Sequence, residues 1–181
     1  SEYERMARYI HETVTVKTGN YLVFAPSYQV MEQVADRCVA YEDMECIRQE
    51  SGMAEEEREA FLKEFEKERN HSLVGFCVMG GIFSEGIDLT EDRLIGALII
   101  GTGLPQVCRE REIVKEYFDK KGMDGFAYAY QYPGMNKVMQ AAGRVIRTVN
   151  DKGVIALLDD RFLLPEYVAL FPREWERYTV V

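Results

Sequence analysis

Residues 73–86 read LVGFCVMGGIFSEG. An unbroken apolar run closed by a glycine pair predicts a strand buried on both faces, then a tight turn. Strands of that kind occur in parallel sheets covered on both sides. Working outward, YLVFA (21–25) ends at Pro26, and ALIIG (97–101) and residues 153–158 repeat the pattern, with a shorter strand near Cys46–Ile47. Amphipathic stretches alternate with them. Residues 2–17 place Met6, Ile10 and Val14 on one face, and Ser27 is positioned to cap a helix through about Ala40. AEEEREAFLKEFEKER (54–69) pairs an acidic face with an inner face of Phe61, Leu62 and Phe65. Helices are also expected over 109–121, 135–148 and about 164–170, with an irregular aromatic segment at 125–134. Strands alternating with such helices imply right-handed crossovers and one three-layer α/β domain over residues 1–181, a mainly parallel central sheet with helices on both faces.

Composition narrows the function. The net charge of −9 excludes a chain that coats nucleic acid by bulk electrostatics, so contacts with phosphates must come from local loops and helix starts. No stretch approaches the roughly 20 apolar residues of a membrane span. The opening SEYERMARYIHE lacks a signal-peptide layout, which gives the expectations of cytoplasmic residence and a start in mid-protein. Cys38, Cys46, Cys77 and Cys108 form no CxxC pair and read as small buried thiols, so no metal is expected. His11 and His71 show no partner pattern.

QAAGRVIR (140–147) carries the chemistry. On a helix, Gln140, Arg144 and Arg147 share a stripe, while Val138, Ala142, Val145 and Val149 fall opposite. Two guanidiniums on a packed helix suit clamping a phosphoryl group, and an ordinary solvated face would give the same spacing. Ligands of open parallel sheets lie beyond the carboxyl ends of the strands. Gly80, Gly81, Ser84, Glu85, Gly86 and Asp88 are expected there, where glycines admit a phosphate or ribose and equally make a plain turn. Ser27 either satisfies helix-start amides or faces a phosphate. The rings of GFAYAYQYPG (125–134) either stack on bases or anchor a loop beneath the sheet. There is no GxxxxGK[ST] and no DEAH-like carboxylate pair after a strand, so the chain lacks a phosphate cradle of its own.

These motifs together resemble superfamily 2 helicases. QxxGRxxR resembles their motif VI, VFAPSYQVMEQV (23–34) motif IV, and GGIFSEGIDL (80–89) motif V. IIGTGLP (99–105) and VIALLDDRF (154–162) resemble the strands that follow motifs V and VI. SEGID, GRxIR and the DxRF-like ending point to the XPD/DinG branch of DNA-repair helicases. The resemblance implies a RecA-like C-terminal motor domain cut away from its N-terminal one. It implies ATP with magnesium bound mainly by the absent half, and single-stranded DNA moved 5′ to 3′. Arg144 and Arg147 would meet the γ-phosphate and Gln140 would orient the nucleotide. Glu85, Gly86, Asp88 and Gly143 would stand on the nucleotide side, and Ser27, Tyr28 and Ser84 on the DNA side. The branch's four-cysteine iron–sulfur cluster would belong to the other half, with none here. The expected partners are DNA and the chain's own N-terminal motor domain, with no membrane and no obligatory oligomer, and the fragment alone is expected to be inactive. A non-catalytic interaction domain that kept the fold is the alternative. A Rossmann-type enzyme would need a glycine-rich turn where Pro26, Ser27 and Tyr28 stand.

Overall fold

The protein is described by a computed structural model covering residues 1–84, 94–146 and 151–181. Its centre is a five-stranded sheet of β1 (Asn20–Ala25), β2 (Met44–Arg48), β3 (Ser72–Val78), β4 (Gly96–Ile100) and β5 (Val154–Leu158). The order is β2-β3-β1-β4-β5 and every pairing is parallel. β1, β3 and β4 occupy the middle and are almost wholly buried, which is why their sequences show no polar alternation.

Both faces are covered. α1 (Glu2–Val16) and α2 (Tyr28–Cys38) bury Ile10, Val14, Met31 and Val34 against Val23, Val74 and Leu98. α3 (Glu55–Glu64) and α5 (Tyr132–Ala142) bury Phe61, Met135, Val138 and Ala141 against Leu22, Leu73 and Ile99 on the other side. α3 is shorter than its acidic stretch predicts, and Phe65, just past its end, still enters this core. Phe162 and Tyr167, around the one-turn helix α6 (Pro165–Val168), close the same core. Among the described residues no helix is long and apolar enough to cross a membrane.

Two further boundaries differ from the sequence expectation. The aromatic segment is helical: a π-helical turn, Ala127–Gln131, runs directly into α5. α5 itself stops at Ala142, well before 148. Gly143 weakens the helix, β-branched Val145 and Ile146 follow, and the chain closes with tight bonds from Arg144 N to Ala141 O and from Val145 N to Ala142 O. α4 (Arg109–Lys120) lies outside this layer, tied to the π-turn by Arg111 to the Ala129 carbonyl and by Tyr130 to Glu112.

Candidate nucleotide and nucleic-acid interface

The carboxyl end of β3 opens into the Gly80–Gly81 turn. Gly80 has φ +75°, a conformation that favours glycine, and its amide donates to Ser84 Oγ at 2.9 Å. Ser84 is fully buried. Its hydroxyl accepts from the Gly80 amide and closes the turn.

Gln49, which the sequence did not single out, organises the neighbouring end of the sheet. It is 3% exposed; its Oε1 accepts from Val78 N at 2.9 Å and its Nε2 donates to Tyr28 Oη at 3.0 Å. One amide thus joins β2, β3 and the first turn of α2. Tyr28 is exposed at its ring edge and keeps its own phenolic proton to donate. Ser27 caps α2 by accepting from Val30 N at 3.2 Å, which also leaves its hydroxyl proton free to point outward. The capping role and an outward contact coexist at this residue.

α5 is set by a close approach. A Cβ on buried Gly134 would lie 2.6 Å from Thr102 O and 3.0 Å from Gly103 C, so the start of α5 rests on the loop leaving β4 backbone to backbone. From there α5 runs antiparallel to the strands, and Val145 ends against Gly153, just before β5. Gly134 and Lys137 stand near the carboxyl ends of the strands, and Arg144 lies about 10 Å further down the axis. The crossover helix thus carries its last turn to the opposite end of the sheet from the Gly80–Gly81 turn.

Lys137 and Gln140 share the side of α5 away from Val138, Ala141 and Ala142, which are buried; Arg144 lies in the turn past the end of the helix, so the helix stops before the expected stripe reaches it. Gln140 and Gly143 are exposed, and Arg144 is half-buried. Its Nε is shielded from solvent and has no hydrogen-bond partner. A buried donor in that state costs about 1–3 kcal/mol, so the position favours an acceptor arriving from outside. Expected site residues Glu85, Gly86, Asp88 and Arg147 lie outside the described residues.

The remaining ionised groups are mostly self-satisfied. Burial opposes the charge on Asp159, yet hydrogen bonds from Arg161 hold its carboxyl below the ordinary range. Arg48 is bound by Glu32 and Asp36, and Arg69 by Glu45 and Glu64. His11 stacks on Tyr41 with centroids 3.9 Å apart and bonds Asp43. Among the thiols, burial pushes Cys38 up to about 12 and Cys46 up to about 11 and raises Cys77 as well, whereas Cys108 is exposed, contrary to the expectation of four buried thiols. Among the described residues no group of three metal-type ligands gathers. The aromatic segment divides: Tyr130 is buried, while Phe126, Tyr128 and Tyr132 keep between 36% and 43% of their surface, so not every ring anchors the layer beneath.

Residues 10–178 match the model of the helicase C-terminal domain family. The chain is 32% identical over 105 residues to a probable ATP-dependent helicase of Methanocaldococcus jannaschii, covering 53% of this chain and 16% of that protein. It is 28% identical over 164 residues to the ATP-dependent DNA helicase XPD of Sulfolobus acidocaldarius, covering 88% of this chain and 28% of that one. Against mouse regulator of telomere elongation helicase 1 the identity is 28% over 174 residues, with 86% and 14% covered. The chain thus spans less than a third of each of these relatives. Among solved structures it is similar to an XPD helicase, with TM-score 0.73, 23% identity and coverage of 93% of this chain and 30% of that one. It is also similar to domain 2 of the DEAD-box helicase Mss116p, with TM-score 0.52, 13% identity and coverage of 93% and 55%. The fold is accordingly the RecA-like one of helicase motor domains.

Proposed function

Because this chain belongs to the helicase C-terminal domain family, and within it resembles XPD-like superfamily 2 helicases, we propose that it is the second motor domain of an ATP-dependent DNA helicase moving 5′ to 3′ on a single strand. The observation that carries the reading is Arg144 Nε, buried and without an acceptor, in the turn that follows exposed Gln140 at the end of α5.

ATP, held with magnesium mainly by the other motor domain, supplies the phosphoanhydride whose cleavage drives the cycle. The groups present here fit such an anion: a planar guanidinium offers several donors to phosphate oxygens, and its Nε–H is paired with nothing else. Arg144 and Arg147 act as arginine fingers on the γ-phosphate. Contributions of that kind are worth about 10³–10⁵ in rate elsewhere. Gln140 orients the nucleotide, with Gly143, Glu85, Gly86 and Asp88 on the same side. Ser27 and Tyr28, each with a proton left to donate, hold the DNA strand where α2 begins. The cysteines lie on α2, on β2, on β3 and just ahead of α4, an arrangement that does not fit a four-thiolate cluster, so any iron–sulfur centre sits in another part of the protein. We place the protein in the cytoplasm, consistent with the sequence reading.

The division of labour is testable by comparing this chain alone with the full-length protein. The chain alone should hydrolyse ATP no faster than buffer, and the full-length protein should turn over with stimulation by single-stranded DNA. DNA-stimulated turnover by the isolated chain would overturn the reading.

A further inference from the structure

On the same side of α5, one turn before Gln140, stands Lys137. Its stem lies across the Gly80 turn: a Cβ on Gly80 would be 3.3 Å from Lys137 Cδ and Cε and 3.7 Å from Nζ. The lysine is half-buried, and among the described residues no carboxylate comes within ion-pair distance of it. Arg48 and Arg69, also half-buried, are each held by two carboxylates, whereas Arg37 and Arg111 use the Gln33 and Ala129 carbonyls. In a chain with 31 acidic against 22 basic side chains, a half-buried ammonium without a carboxylate partner among the described residues is open to an anion from outside.

We propose that Lys137 is a further phosphate-binding residue, donating from Nζ to a phosphate oxygen at the Gly80–Gly81 turn. Without a side chain at Gly80 the lysine stem lies directly on the turn, which brings the ammonium to it. The phosphate belongs either to the nucleic-acid strand or to the nucleotide, and both present the same oxyanion.

The inference rests on the motor-domain reading, and its test is built to fail separately. In the full-length protein, Lys137→Met keeps an unbranched stem over Gly80 and removes the charge, Lys137→Arg keeps the charge, and Lys137→Ala removes both. Each variant is measured for affinity to a fluorescent oligo-dT at several salt concentrations and for the KM of DNA-stimulated ATP hydrolysis. A strand phosphate predicts about tenfold weaker DNA binding for Met and Ala, and a salt slope shallower by about 0.7, with Arg close to the parent. A nucleotide phosphate predicts an unchanged salt slope and a KM for ATP raised about tenfold, again with Arg close to the parent. Parent-like values of both quantities for Lys137→Met would overturn the assignment, as would a loss seen only for Ala, which would make Lys137 a packing residue. Loss of turnover in Arg144→Ala alongside a silent Lys137→Met would sink this inference and leave the motor reading standing.

Discussion

Gly134→Ala is the sharpest test of how the site is positioned. The added methyl would meet Thr102 O at 2.6 Å, Gly103 C at 3.0 Å and Leu104 N at 3.1 Å. All three atoms are backbone, so no side chain can swing aside. α5 must then withdraw from the loop after β4 by several tenths of an ångström, loosening Met135 and Val138 in the core beneath. Overpacking of this kind costs about 1–3 kcal/mol, and the rigid neighbours put the expectation near the upper end. For a chain of 181 residues, 1 kcal/mol moves Tm by about 2–4 °C, so a fall of roughly 6–10 °C is expected. Urea unfolding followed by circular dichroism reads the free energy, and a thermal scan reads Tm. Gly122→Ala is the comparison: it has φ +74° but open space around its Cβ position, so it should lose about 1–2 kcal/mol from backbone strain alone. A Gly134→Ala chain within about 0.5 kcal/mol of the parent would refute the backbone-to-backbone seating of α5.

Three further outcomes follow from the geometry. Gln49→Leu leaves Val78 N and Tyr28 Oη without their partner and should lower stability by about 1–3 kcal/mol in urea unfolding; an unchanged midpoint would contradict the junction assigned to it. Asp159 has a carboxyl pKa held below the ordinary value of about 3.9, so its stabilising contribution is full above that pH and is lost as pH falls through the folded value. Asp159→Asn should therefore flatten the acid limb of Tm against pH, and an unaltered limb would count against the Arg161 pairing. Cys108 is the exposed thiol, whereas burial raises Cys38, Cys46 and Cys77. Ellman's reagent should find one fast equivalent, removed by Cys108→Ser, and a second fast thiol would show that the sheet opens.

The sheet was legible because its strands are apolar runs bounded by Pro26, by Gly80 and Gly81, and by Gly101, and because Ser27 marks a helix start. The end of α5 was not. Val138, Ala142, Val145 and Val149 keep helical spacing through 149, and the tight bonds that stop the helix at Ala142 involve Gly143 and the docking of Val145 on Gly153, which is distant in sequence. The alternating aromatics of 126–132 similarly hid a π-turn, since tyrosines at every second place suggest no helical face. Motif spacing singled out Arg144 and Gln140. It did not single out Lys137 and Gln49, because their contacts exist only through the Gly80 turn and the end of β3. The bond from the Gly80 amide to buried Ser84 was not legible either, since it depends on how the turn folds back.

The central claim is that Arg144, whose Nε is buried without an acceptor, donates to a phosphate oxygen. The most direct measurement is kcat for DNA-stimulated ATP hydrolysis by full-length protein carrying Arg144→Ala, with oligonucleotide affinity measured on the same sample. A fall of about 10³-fold or more in kcat with affinity for the strand retained is the expected result. Turnover within a few-fold of the parent would contradict it.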